Sequence, residues 1–240
     1  MNFYRNSASP AAGDSGGLIE FIGKNDAGED VTNIQIEAEI TGVGDGAEDV
    51  ALKIGLRRGG SFVDALSFDP TETVFNDTGA DVNFRVESDG NANMLFVDAG
   101  NEAVVVGAND ADTTISGGTP AFQVIGTGVA TGVAVTRREN NAFGSSLYLS
   151  KSRNTTPDAF TVVQAGDTLG SIIFIGDDGT NLDTYGATIN NVVKSGVGEN
   201  DMPTELIFST NSGTTTVAER MKIQHDSGNN VVIADGLTLT

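Results

Sequence analysis

The segment NIQIEAEI sets Ile34, Ile36, Ala38 and Ile40 at alternate positions, with Gln35, Glu37 and Glu39 between them. That period of two suits a strand with one buried face and is of no use to a helix. VALKIGL repeats it with Val50, Leu52, Ile54 and Leu56, and ALSF continues it with Leu66 and Phe68. Shorter alternations follow at Phe84/Val86, Phe122/Val124, Val133/Val135, Leu147/Leu149 and Met221/Ile223. Turn signals of the NDAG, GDG, RGG, SDGN and DDGTN kind separate them. The pattern predicts an all-β chain, an elongated repeat of short strands joined by Gly, Asp and Asn turns.

A long internal repeat shapes the organisation. GDSGGLIEFIG at 13–23 matches GDTLGSIIFIG at 166–176 without a gap, at an offset of 153. Gly13/Gly166, Asp14/Asp167, Gly17/Gly170, Ile19/Ile172, Phe21/Phe174 and Gly23/Gly176 are identical. Upstream, RNSASP at 5–10 resembles RNTTP at 153–157; downstream, Ile36 falls on Ile189, GVGD at 42–45 on GVGE at 196–199, and ALSF on RMKI at 220–223. A second pair, DAGNEAVVVGA at 98–108 and DSGNNVVIADG at 226–236, reads as a structural joint: a tight turn followed by a strand. In its C-terminal copy Gly228 or Asn229 suits a positive φ.

These matches predict a first β-repeat over 1–73, a connecting β-segment over 74–118 and a second, complete repeat over 119–240. The first repeat is expected to be incomplete at its start: it begins at NFYRN, where the second is preceded by the strand-like SSLYLSKSRN.

The chain has 240 residues, of which 38% are hydrophobic and 6% aromatic, with no Trp, so bulky core material is scarce. Ordering the backbone of a six-residue strand costs about 6–12 kcal/mol. Burying its three inward side chains returns roughly 4.5–9 kcal/mol. A lone chain of such strands barely breaks even, and its sheet edges invite further pairing. Identical chains wound about a three-fold axis would share a core and cover those edges, so a homotrimer is expected.

A net charge of −20 opposes contact with phosphate backbones and anionic lipid, which select clustered Lys and Arg; nucleic acid is excluded as a partner. With no cysteine there is no disulfide framework and no thiol chemistry. No run approaches the about 18 apolar residues of a membrane helix, so membrane insertion is not expected. The N-terminal segment also lacks the apolar core of a signal peptide.

In order along the chain, FQVIGTG (122–128), SLYLSKSRN (146–154), AGDTLGSIIFIGDDGTN (165–181), NDMPTELIFSTNSGTTTVAERMKI (200–223) and DSGNNVVI (226–233) resemble the distal repeats of bacteriophage tail fibres, especially those of marine and cyanobacterial phages. SDGNANMLFVDAGNEAVVVGA at 88–108 is similar to a further joint of that family. The resemblance implies a virion-surface fibre or spike segment, a trimer of intertwined β-structure. Its partners would be other virion structural proteins and a host-cell receptor or glycan. Neither the N-terminal adaptor nor the C-terminal intramolecular chaperone of such fibres is visible. A capsid-attached head fibre or decoration protein therefore stays open, and so does a polysaccharide-degrading tailspike.

The candidate chemistry is thin. His225 is the sole histidine and neighbours Asp226, but it sits between an alternating strand and a turn, and no GxSxG elbow accompanies it. DGNAN at 89–93 spaces oxygen donors like a calcium loop, yet Met94 and Gly100 stand where Gly and Glu are required. The acids of DDGTNLD at 177–183 read as turn caps. GTGVATG at 126–132 has the wrong spacing for a dinucleotide loop and precedes the strand-like VAVTRR. Arg57/Arg58 and Arg137/Arg138 read as strand-end charges that balance nearby acids. No catalytic, metal, cofactor or receptor-binding residue is assigned, and a non-enzymatic role without cofactors is expected.

Overall fold

The computed structural model describes residues 5, 7–128, 131–225 and 230–234. All regular structure among them is β, in fourteen strands, and the sheets are antiparallel. The chain divides into two units, Met1–Ala111 and Asp112–Thr240.

In the first unit, β1 (Asp14–Lys24), β2 (Asp30–Gly44), β3 (Ala47–Arg58), β4 (Ser61–Phe68) and β5 (Thr73–Phe75) form a five-stranded meander in chain order. The NIQIEAEI alternation lies inside β2 as expected. The β3–β4 hairpin closes through Gly59 and Gly60, with φ of 56° and 86°. A two-residue loop with positive φ at both positions is the type I′ geometry, whose twist matches that of the strands it joins. A smaller meander follows, made of β6 (Phe84–Val86), β7 (Leu95–Asp98) and β8 (Ala103–Val106).

The second unit contains β9 (Phe122–Val124) and a second five-stranded meander: β10 (Thr168–Gly176), β11 (Thr184–Val193), β12 (Thr204–Asn211), β13 (Val217–Ile223) and β14 (Val231–Ile233). The two large meanders share most of their irregularities, although the β2–β3 shift after Ile40 has no counterpart in β11–β12. Ile19 faces Ile36 across β1–β2, and Ile172 faces Ile189 across β10–β11. Register shifts follow Ser15 and Phe21 in the first copy, and Thr168 and Phe174 in the second. Leu52 opposite Phe68 recurs as Leu206 opposite Ile223, with the next shift after Ile54 and after Phe208. A one-residue slip turns every side chain to the other face, so conserving the bulges conserves which face is apolar.

The entry turn is duplicated too. Gly13, at φ 87°, donates its N–H to the Ile40 carbonyl at 2.8 Å, and Gly166, at φ 90°, donates to Val193 at 2.8 Å. The joint at 98–108 forms a turn from Asp98 to Asn101 that leads into β8, with its positive φ of 53° on Glu102. Its counterpart keeps VVI as β14, whereas the Gly228/Asn229 expectation falls outside the described residues. The NFYRN opening, apart from Arg5, and all of ADGLTLT beyond Ala234 lie outside them as well.

One sequence expectation fails. Val133/Val135 and Leu147/Leu149 alternate as strands should, yet no strand forms over 131–166. Alternation makes a segment suitable for a sheet, but a strand exists only when a neighbouring backbone completes its ladder. Here the Ser145 hydroxyl donates to the Val135 carbonyl at 2.8 Å and accepts the Arg137 N–H at 3.1 Å, so a side chain stands where a partner strand would.

Candidate functional site

The registers place a continuous apolar row across each large sheet. Ile19, Ile36, Ile54, Leu66 and Phe75 are successive cross-strand partners in the first unit. Ile172, Ile189, Phe208, Met221 and Ile233 are their counterparts in the second. A parallel row runs through Phe21, Ile34 and Leu56, and through Phe174, Ala187 and Thr210, so the second copy is more polar at this end.

These faces are not a closed core. Phe21 is 52% exposed, Phe75 55% and Phe174 55%, while the fully buried Ala51 and Ser67 of the first sheet are small and lie on its opposite face, as partners of Glu39 and Lys53. In a single chain Phe21, Phe75 and Phe174 therefore keep about half of their contact with water, while Ile36, Ile54 and Leu66 in the middle of the face are half-buried, so part of the burial free energy that the face offers is not gained. In the second unit Leu149 lies over part of the face, beside Gly170. A Cβ on Gly170 would overlap Leu149, so glycine is needed there for close approach. Leu149, Ile172, Ile189 and Leu206 help to line a cavity of about 200 Å³ at this place.

The opposite face is polar and internally satisfied. Glu20 accepts hydrogen bonds from Thr32 at 3.1 Å and Gln35 at 3.0 Å. Lys53 pairs with Glu39 at 2.5 Å, and the hydrogen bond to that carboxylate raises the lysine pKa against the opposing effect of burial. The apolar and polar faces named for β2 from sequence are the two faces observed.

Two acids organise turns in a way that the sequence only partly signalled. Asp98, 5% exposed, accepts hydrogen bonds from the Asn101 side chain at 2.9 Å and from the N–H groups of Asn101 and Ala111 at 3.2 Å each. These hold its pKa below the usual carboxylate range, the Asn101 side chain contributing most. Asp167 takes a fork of two 2.7 Å bonds from Arg153 and a 3.0 Å bond from the Gln164 N–H, and the arginine lowers its pKa to about 2. Arg5 pairs with Asp14 at 3.0 Å in the first copy. The sequence match found both arginines and both aspartates without linking them.

The remaining candidates resolve into local structure. His225 is exposed, and Asp226 lies outside the described residues. Among the described residues no group of three His, Asp or Glu side chains is placed to hold a metal ion. Within DGNAN the Asn91 side chain caps the Asn93 N–H at 2.8 Å. In DDGTNLD, Asp177 caps Gly179 at 2.7 Å and Asp178 caps Thr180 at 3.0 Å, as turn chemistry predicts. The hydroxyl of Thr184 adds a 2.7 Å bond to Asp178, the largest cause of that residue's lowered pKa. At GTGVATG the Thr131 N–H donates to the Gly128 carbonyl at 3.1 Å.

Arg57 lies at the end of β3 and ties down the hairpin, donating to the carbonyls of Thr32 at 2.9 Å and Gly60 at 2.7 Å. Arg58 is the last residue of β3. Arg137 balances Glu139 as expected, but it and Arg138 belong to the strand-free segment and end no strand. That segment also displays Phe143, Leu147, Tyr148 and Phe160 to solvent, the last at 91% exposure.

No protein-family model and no curated protein sequence matches the chain. Among solved structures, it is similar to the carboxy-terminal domain of the bacteriophage T5 L-shaped tail fibre with its intramolecular chaperone domain, at 12% identity and a TM-score of 0.48. That match covers 100% of this chain, which spans 60% of the other. The carboxy-terminal domain of the same fibre in a second structure matches at 13% identity and a TM-score of 0.42, with 100% and 88% of the two chains covered.

Proposed function

We propose that this chain is a structural, non-enzymatic segment of a bacteriophage fibre. It works as a homotrimer at the virion surface, joined to other virion proteins and presenting its loops to a host receptor or glycan. The observation that carries this reading is the pair of apolar sheet faces that a single chain leaves partly exposed. In either unit, three copies that turn the apolar face toward their axis take Phe21 and Phe75, or Phe174, out of water, while the polar face with the Glu20 and Lys53 contacts points outward. The ordered series of tail-fibre-like segments from 122 to 233 supports the same assignment. In such a particle the protein contributes shape, stiffness and adhesion, and recognition falls to exposed loop chemistry.

The test is twofold. Labelled antibody against the chain, viewed on intact phage, is expected to decorate fibres, and decoration of the capsid would contradict the tail assignment. The purified chain is expected to adsorb to host cells and compete with phage attachment; absence of competition would remove the adhesive role.

A further inference from the structure

We infer that the strand-free segment from Thr131 to Val163 is a donor of β-strands to neighbouring copies of this same chain, completing its ladders only in the assembly. The inference rests on the homo-oligomeric reading above and specifies which part of the chain interlocks. Three observations meet here. The first is pattern without pairing: Val133 and Val135 flank Ala134, Leu147 and Leu149 flank Tyr148, and Phe160 and Val162 flank Thr161, each pair two residues apart as on one face of a strand, yet no strand forms among them. Val133 is 72% exposed, Leu147 77% and Phe160 91%, so these side chains lack the packing of a half-buried strand, whereas Leu149 rests beside Gly170 on the sheet of its own chain.

The second is the makeshift hydrogen bonding. The Ser145 hydroxyl bridges the backbone of Val135 and Arg137. A hydroxyl in that role is replaceable by the carbonyl and N–H of an incoming strand, and the exchange leaves no polar group unsatisfied. The long edge strands β1 and β10 each have a neighbour on one side within their five-stranded sheets, so neighbouring copies carry ladder groups able to accept a further strand.

The third is charge, which identifies the occupant. Residues 131–163 carry Arg137, Arg138, Lys151 and Arg153 against Glu139 and Asp158, a net of +2. The rest of the chain carries nine cations against 31 acids, a net of −22. A weakly basic, strand-patterned segment on a strongly acidic chain is complementary to other copies of that chain.

Hydrogen exchange read by mass spectrometry, together with light scattering on the same sample, tests this. The expected result is an oligomer in which amides of 133–137, 145–149 and 160–164 exchange at least tenfold more slowly than in the chain diluted to monomers. An oligomer in which these amides exchange at the free-chain rate, while β2 and β3 stay protected, overturns the inference and leaves the oligomeric reading standing. A monomer at every concentration overturns both.

Val135→Pro is the companion variant. It deletes an N–H at a position outside any strand of the single chain, so the monomer is expected to keep its circular dichroism spectrum while assembly weakens by tenfold or more. Unchanged assembly in Val135→Pro overturns the inference.

Discussion

Asp167 shows how one side chain holds the start of a sheet, through the Arg153 fork and the Gln164 N–H just ahead of β10. Its folded pKa of about 2 lies below the 3.8 of a free side chain, so the group stabilises the fold fully above the free value. That contribution is lost as pH falls through the window between the two. Asp167→Asn is therefore expected to lower the thermal midpoint at neutral pH and to make it fall less on acidification; parallel pH profiles for variant and wild type would refute the role. Gly13→Ala and Gly166→Ala each force a Cβ into the positive-φ turn and are expected to cost about 1–3 kcal/mol apiece by chemical denaturation. Similar penalties at both sites would confirm that the turn is one device used twice. The glycines and aspartates were legible as identities 153 residues apart. The Arg–Asp pairing was not, because the partners are nine residues apart in one copy and fourteen in the other, and a gapless match cannot carry a contact across changed spacing.

At the scale of elements, the middle of β2 from Ile34 to Ile40 was legible because its alternation and its two flanking partners coincide in one meander, while the ends of the strand and the shift after Ile40 were not. The Val133 and Leu147 stretches form no strand within the single chain for the complementary reason: the pattern is present and the partner is not. The bulges were not legible, since a register shift after Ser15 or Phe21 depends on how two strands slide past each other and leaves no fixed residue signature. Phe174 tests the use of the apolar face. It is about half exposed in the single chain, so Phe174→Asp should change monomer stability little, as a surface substitution does. In the assembly the same change places a charge where a ring was to be buried, a loss of at least roughly 1.5–3 kcal/mol per copy. Light scattering should show dissociation with the circular dichroism spectrum retained; an intact oligomer would show that the face is not the contact.

The whole molecule sets acidity against apolar faces. Each copy carries −20, so bringing copies together concentrates like charge, and association should tighten as salt screens it. Raising ionic strength from about 0.05 M to about 0.5 M is expected to lower the dissociation concentration of the assembly. Weaker association at high salt would point to ion pairs as the dominant contacts. The same balance explains why the sequence disclosed an all-β fold and its duplication but no site: strands, turns and repeats are local patterns, whereas the surfaces that matter are defined by what covers them. The most direct test of that account is the mass of the purified chain in solution by multi-angle light scattering. Three times the chain mass of 24.7 kDa is the predicted result, and a stable species of 24.7 kDa at all concentrations would contradict it.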